Sequence, residues 1–81
     1  MRQGYQELGQ PEAAVAEYRT LLRLAPQLGG EIANGLRELL RAQPRHAEAH
    51  RALGDANMKI GRFQQAIDEY NQAISLEKVG S

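Results

Sequence analysis

Between Ala47 and Leu76 the chain carries two amphipathic patterns and a short connector, in an order that leaves few folds open. Apolar or small residues fall at Ala49, Ala52, Leu53, Ala56, Met58 and Ile60, then at Phe63, Ala66, Ile67, Tyr70, Ala73, Ile74 and Leu76. Spacings of three and four put such residues on one side of a helix. Gly61 lies between the two patterns, where it can take the left-handed conformation that ends one helix before Arg62 and Phe63 start the next. The stretch therefore predicts an antiparallel helical hairpin. Gly54 and Ala66 lie inside it, where larger side chains would hold the backbones apart, and Leu53 and Tyr70 supply bulk around them.

The rest of the composition agrees with an all-α chain. Ala, Leu, Gln, Glu and Arg dominate, and no run rich in Val, Thr and aromatics reads as a strand. With 81 residues and no Trp, the core must be small and built from Leu, Ile, Ala and Tyr. There are no cysteines, hence no disulfide framework and no thiolate chemistry. His46 and His50 stand four apart with Glu48 between them, but the Glu does not directly follow the first His and no third ligand is within local reach, so they read as surface or repeat-edge histidines. No metal or other cofactor is expected.

Charge sums to zero but is unevenly laid out. Arg37, Arg41, Arg45, Arg51, Lys59 and Arg62 outnumber Glu38, Glu48 and Asp55 in the middle, while Asp68, Glu69 and Glu77 face only Lys78 after Ala66. This is sparser than a nucleic-acid surface and is read as solvated helix faces. No apolar run is long enough for a membrane span, and the start MRQGYQELGQP has no signal-peptide core, which points to the cytoplasm. Catalysis is not expected either: Asp68 and Glu69 are adjacent and so diverge on a helix, Glu48–Arg51 and Asp55–Lys59 are ordinary helix-surface pairs, and no phosphate-binding glycine pattern is present.

The hairpin resembles the tetratricopeptide repeat family, whose signature runs through an aromatic, a Leu-Gly pair, a Tyr, an Ala followed by an aromatic, and a closing Pro. Leu53-Gly54, Ala66, Tyr70 and Ala73 match it, whereas His50, Asn57 and Lys78 stand where the opening aromatic, the Tyr and the Pro belong. Upstream, Tyr5, Gly9, Ala14, Tyr18 and Pro26 match a second copy that lacks most of its first helix. A regular array would repeat after about 34 residues. Here the matching alanines, Ala14 and Ala66, are further apart by the length of one more helix and its loop. That helix carries Ile32, Leu36, Leu39 and Leu40, repeating the spacing of Ala14, Tyr18, Leu21 and Leu22; Gly29-Gly30 precedes it and Pro44 follows. Asn34-Gly35 could form a turn, but breaking there would waste the match between Ile32 and Leu36, so the helix is read as unbroken, with Gly35 costing about 1 kcal/mol relative to Ala unless a neighbour comes close.

The expectation is thus a single all-α domain over residues 1–81: antiparallel hairpins of a right-handed, bacterial-type repeat superhelix, with helices near 1–8, 11–25, 30–43, 46–60 and 63–77 and the first one truncated. Residues 1–26 form a partial repeat, 29–44 the extra helix and 47–78 the complete repeat, followed by a fraying tail. What the resemblance implies is a protein-interaction module of the scaffold or adaptor kind, the alternative being a structural spacer or cap. First helices line the concave side in this family, which places a peptide-binding face at Glu48, Arg51, Asp55, Met58 and Lys59. Some members clamp a C-terminal carboxylate with Lys and Asn; here Arg51 occupies the basic place, but Asp55 replaces the Asn and disfavours a clamp. The partner is a protein or peptide. Self-association as a homodimer is also expected, from Ala14, Tyr18, Leu21 and Leu22 at one end and Ile67, Ile74 and Leu76 at the other, with Gly29-Gly30 and Pro44 as hinges for helix exchange.

Overall fold

Four α-helices and a single 3-10 turn make up the computed structural model, which describes residues 10–80. They are α1 (Gln10–Leu24), the turn Pro26–Leu28, α2 (Gly29–Ala42), α3 (Ala47–Lys59) and α4 (Phe63–Gly80), with no strand among the described residues. The helix expected over 1–8 lies outside the described residues, as do Tyr5 and Gly9. The other four fall where periodicity placed them, except that α4 continues to Gly80 through most of the stretch expected to be a fraying tail, and α2 runs unbroken through Asn34-Gly35.

Local chemistry sets the boundaries. Pro26, which has no N–H to donate, opens the 3-10 turn, and the Gly29 N–H closes it on the Pro26 carbonyl. Both glycines proposed as a hinge lie in the first turn of α2 instead, with Gly29 buried. His46 caps α3: its Nδ1 accepts from the Ala49 N–H at 3.2 Å, satisfying one of the donors a helix start leaves open. At the other end Gly61 takes φ 82°, the Gly61 N–H donates to Met58 O at 3.2 Å and the Arg62 N–H to Asn57 O at 2.8 Å. This pair of reversed hydrogen bonds is the Schellman motif, and it turns the chain into α4.

The molecule extends 38 × 31 × 17 Å, the short dimension being under two helix diameters of about 10 Å. α3 is in contact with α1, α2 and α4, whereas α1 and α4 do not touch each other. The core joins Val15 and Leu22 of α1, Ile32, Ala33, Leu36 and Leu40 of α2, and Ala49, Ala52, Leu53 and Ala56 of α3. α4 adds Ala66 and Ala73, small enough to let its backbone close on α3.

Two aromatic contacts recur in this frame. A Cβ built on Gly54 would meet Tyr70 Cε1 at 2.6 Å and Cδ1 at 2.8 Å, and one built on Gly35 would meet Tyr18 Cζ at 2.6 Å. Each tyrosine therefore reaches a helix backbone that only glycine leaves bare, Tyr70 with the flank of its ring and Tyr18 with its tip. This supplies the neighbour that Gly35 needed.

Three sequence expectations need correction. Leu22 is buried and Tyr18 and Ala14 are half-buried, because α2 and α3 cover the side of α1 that was expected to lie open; Leu21 alone of that set is exposed. The apolar stripe of α4 divides: Ala66 and Ala73 are buried, Ile67 and Ile74 are exposed as the self-association expectation had them, with Phe63 beside them, but Leu76, expected in the same exposed set, is half-buried. The histidines, read as surface or repeat-edge residues, are half-buried and engaged in contacts rather than exposed. His46 Nε2 is buried without a partner among the described residues, and the His50 ring bridges Glu69 Oε1 at 2.7 Å and the Pro44 carbonyl at 2.9 Å, joining α3 to α4 and to the preceding loop.

Candidate functional site

Because α1 and α4 both lean on α3 without meeting, a cleft remains between them, with α3 as its floor. It encloses about 700 Å³ and is lined by Arg19, Leu22 and Arg23 of α1, Asp55, Met58 and Lys59 of α3, and Tyr70 of α4. Three of the five residues expected on the binding face, Asp55, Met58 and Lys59, therefore share this cleft. Met58 is 45% exposed there, an apolar and adaptable side chain among polar ones.

Polar contacts fix the shape of the cleft. The Tyr70 hydroxyl donates to Asp55 Oδ1 at 2.6 Å, and Arg19 stands 3.5 Å from Asp55 Oδ2 while donating to Glu48 Oε2 at 2.5 Å. A single carboxylate on α3 thus takes a hydroxyl from α4 and a guanidinium from α1. Burial, and then the hydrogen bond and negative charge of Asp55, push the Tyr70 phenol up to about 12. Its proton stays in place and the donor role is fixed.

The other two expected residues are turned to a different task. Glu48 is shared between Arg19 and Arg51, and Arg51 also donates to Glu77 of α4. The hydrogen bond to Glu77 is the main reason the Arg51 guanidinium is held above its ordinary value. Arg51 is therefore a strut between α3 and α4 rather than a member of the cleft.

The sequence did not point to Arg19, Arg23 or Tyr70 as cleft residues, since their positions depend on how α1 crosses α3. The one available signal was the repeated Ala-x-x-x-Tyr at Ala14 and Ala66, which marks α1 and α4 as equivalent helices. A second hollow of about 540 Å³ lies over His50 and Leu53, between Arg37 and Arg41 of α2 and Glu69 of α4. Among the described residues no group of His, Cys, Asp and Glu could hold a metal ion, and no helix is long and apolar enough to cross a membrane.

Short helices stacked side by side around a shared middle helix, with aromatic-on-glycine contacts at their crossings, define a helical-repeat protein. The family models agree: one described as tetratricopeptide repeat matches residues 33–78, and a second of the same description matches residues 5–28. The chain belongs to the tetratricopeptide repeat family, whose members generally mediate protein–protein interactions and are typically non-catalytic. No curated protein and no solved structure matches the chain.

Proposed function

We propose that the chain is a protein-interaction module acting as a scaffold or adaptor segment, and that the cleft between α1 and α4 receives an extended peptide stretch of its partner. The observation that carries this reading is Met58, nearly half exposed on the floor of an open cleft whose walls are braced by the Arg19–Asp55–Tyr70 contacts. A braced cleft with an apolar point of contact needs little rearrangement to bind. The competing reading is a spacer whose surfaces serve only neighbouring repeats. A pool of blocked pentapeptides of mixed sequence, titrated while backbone amide shifts are followed, separates the two. Shifts concentrated at α1, α3 and α4 around the cleft, and reduced by Met58→Ala, support the module; a pool that leaves the cleft amides unmoved supports the spacer.

Self-association as a homodimer is a second part of the reading, carried by the outward side of α4. Phe63, Ile67 and Ile74 form an exposed apolar row there, each about half in water, so each forgoes about 1 kcal/mol, roughly half of what full burial gives. Sedimentation equilibrium reads this directly. A dimer that dissociates on Ile67→Lys supports it, and a monomer mass up to millimolar chain overturns it.

A further inference from the structure

The charges on the cleft are not balanced, and the imbalance identifies what fits. Three cations line it, Arg19, Arg23 and Lys59, against one carboxylate, Asp55. Asp55 is already engaged by Tyr70 and Arg19, and Arg19 is further neutralised by Glu48. Arg23 and Lys59 remain, both exposed and neither with an ion-pair partner among the described residues. They belong to α1 and α3 respectively, and the exposed thioether of Met58 shares the cleft with them.

Resting on the reading of the cleft as a peptide site, we propose that its occupant is an internal acidic segment with one apolar side chain, the carboxylates meeting Arg23 and Lys59 and the apolar group meeting Met58. A basic segment is disfavoured, because the one carboxylate that would attract it is already spent on Tyr70 and Arg19. A free C-terminus is disfavoured at Arg51, whose guanidinium is occupied by Glu48 and Glu77. Recognition instead comes from side-chain charge on one wall and the floor, which sets strand position and speeds encounter more than it adds affinity.

The probe is a pentapeptide blocked at both ends, with leucine at the centre and glutamate at the other four positions. Its controls carry glutamine or lysine in place of glutamate. Binding is followed by amide shifts of the cleft residues at low and high salt. The glutamate peptide is expected to bind most tightly, to weaken as salt shortens the range of the attraction, and to lose about tenfold in affinity with Arg23→Gln and Lys59→Gln together, the amount two exposed ion pairs provide. Both cations stand in the last turn of their helices and also offset the helix dipole, so the urea midpoint of the double variant is measured in parallel. Equal binding of the glutamate and glutamine peptides in the cleft, or unchanged binding of the glutamate peptide to a folded double variant, overturns the acidic partner while leaving the peptide site intact. Absence of cleft shifts with all three peptides, together with none from the mixed pool, overturns both.

Discussion

Tyr70 of α4 lies on Gly54 of α3 and Tyr18 of α1 lies on Gly35 of α2, yet the residue that follows each glycine differs: Asp55 in one case, Leu36 in the other. Asp55 reaches out of the helix to take the Tyr70 hydroxyl, whereas Leu36 turns inward and is among the largest fully buried side chains of the core. Chain order differs as well. The glycine precedes its tyrosine in the α3–α4 hairpin and follows it across α1–α2, so α2 offers Tyr18 a bare surface from the downstream side. The same aromatic-on-glycine contact is thus fastened by a side-chain hydrogen bond at the cleft, and has no such bond among the described residues at the far end. Only the fastened one contributes to a site.

Copying the polar arrangement into the apolar place is the severest way to break the comparison. Leu36→Asp puts a carboxylate where no solvent reaches, and we expect a loss of about 4 kcal/mol or more, read as collapse of the urea transition. A variant that folds with near-original stability would mean that Tyr18 can fasten as Tyr70 does.

Alanine at the two glycines is a milder contrast. The ring flank of Tyr70 blocks a Cβ at Gly54 and its hydroxyl is tethered, so Gly54→Ala is expected to cost about 1–3 kcal/mol from overpacking. At Gly35 the obstruction is the tip of Tyr18, which can slide, and the gain in helix propensity of about 1 kcal/mol offsets the crowding. Denaturant unfolding of both variants decides: equal costs would show that the tether does not stiffen the contact.

Removing only the hydroxyl sharpens the point further. Tyr70→Phe leaves Asp55 without its donor and should cost about 1–2 kcal/mol, and Tyr18→Phe should cost less. Alkaline titration checks the same bond. The folded Tyr70 phenol sits near 12 against 10.0 for the free group, so the folded state holds the proton more tightly. Its stabilisation is complete below pH 10 and is lost as pH rises through 12. Phenolate absorbance should show a late-titrating component that vanishes in Tyr70→Phe. The smallest effect belongs to the exposed strut: Arg51→Ala should leave the urea midpoint unchanged within error, since such surface ion pairs are screened and entropically costly.

Which parts of this were legible in the residues follows from the range of the forces. Helix spans depend on near neighbours, so periodicity, Pro44 and Gly61 placed α2, α3 and α4, and the match between Ile32 and Leu36 kept α2 whole through Asn34-Gly35. The 3-10 turn at Pro26–Leu28 escaped because it rests on one proline and two backbone hydrogen bonds, with no apolar pattern to mark it. His46 escaped because His is an uncommon cap beside Ser, Thr, Asp and Asn. Met58, Asp55 and Lys59, expected together from the face of α3 alone, do line one cleft. Arg19, Arg23 and Tyr70 required knowing how three helices cross, and the contact between Arg51 and Glu77 was not legible because Glu77 lies a whole helix away. The uncovered side of α1 was misjudged for the same reason: both α2 and α3 pack on it, and how they cross it depends on contacts far apart in the chain.

The position of α3, in contact with every other helix while α1 and α4 stay apart, also sets the order in which the molecule should open. Amides of α3 can exchange with solvent only when the whole structure comes undone, so they should be the slowest and report the global unfolding free energy. α1 can lift from α2 and α3 without disturbing the α3–α4 hairpin, and its amides should exchange by a cheaper, local opening. That opening would also part the walls of the cleft, so a peptide held across them should slow exchange in α1 far more than in α3.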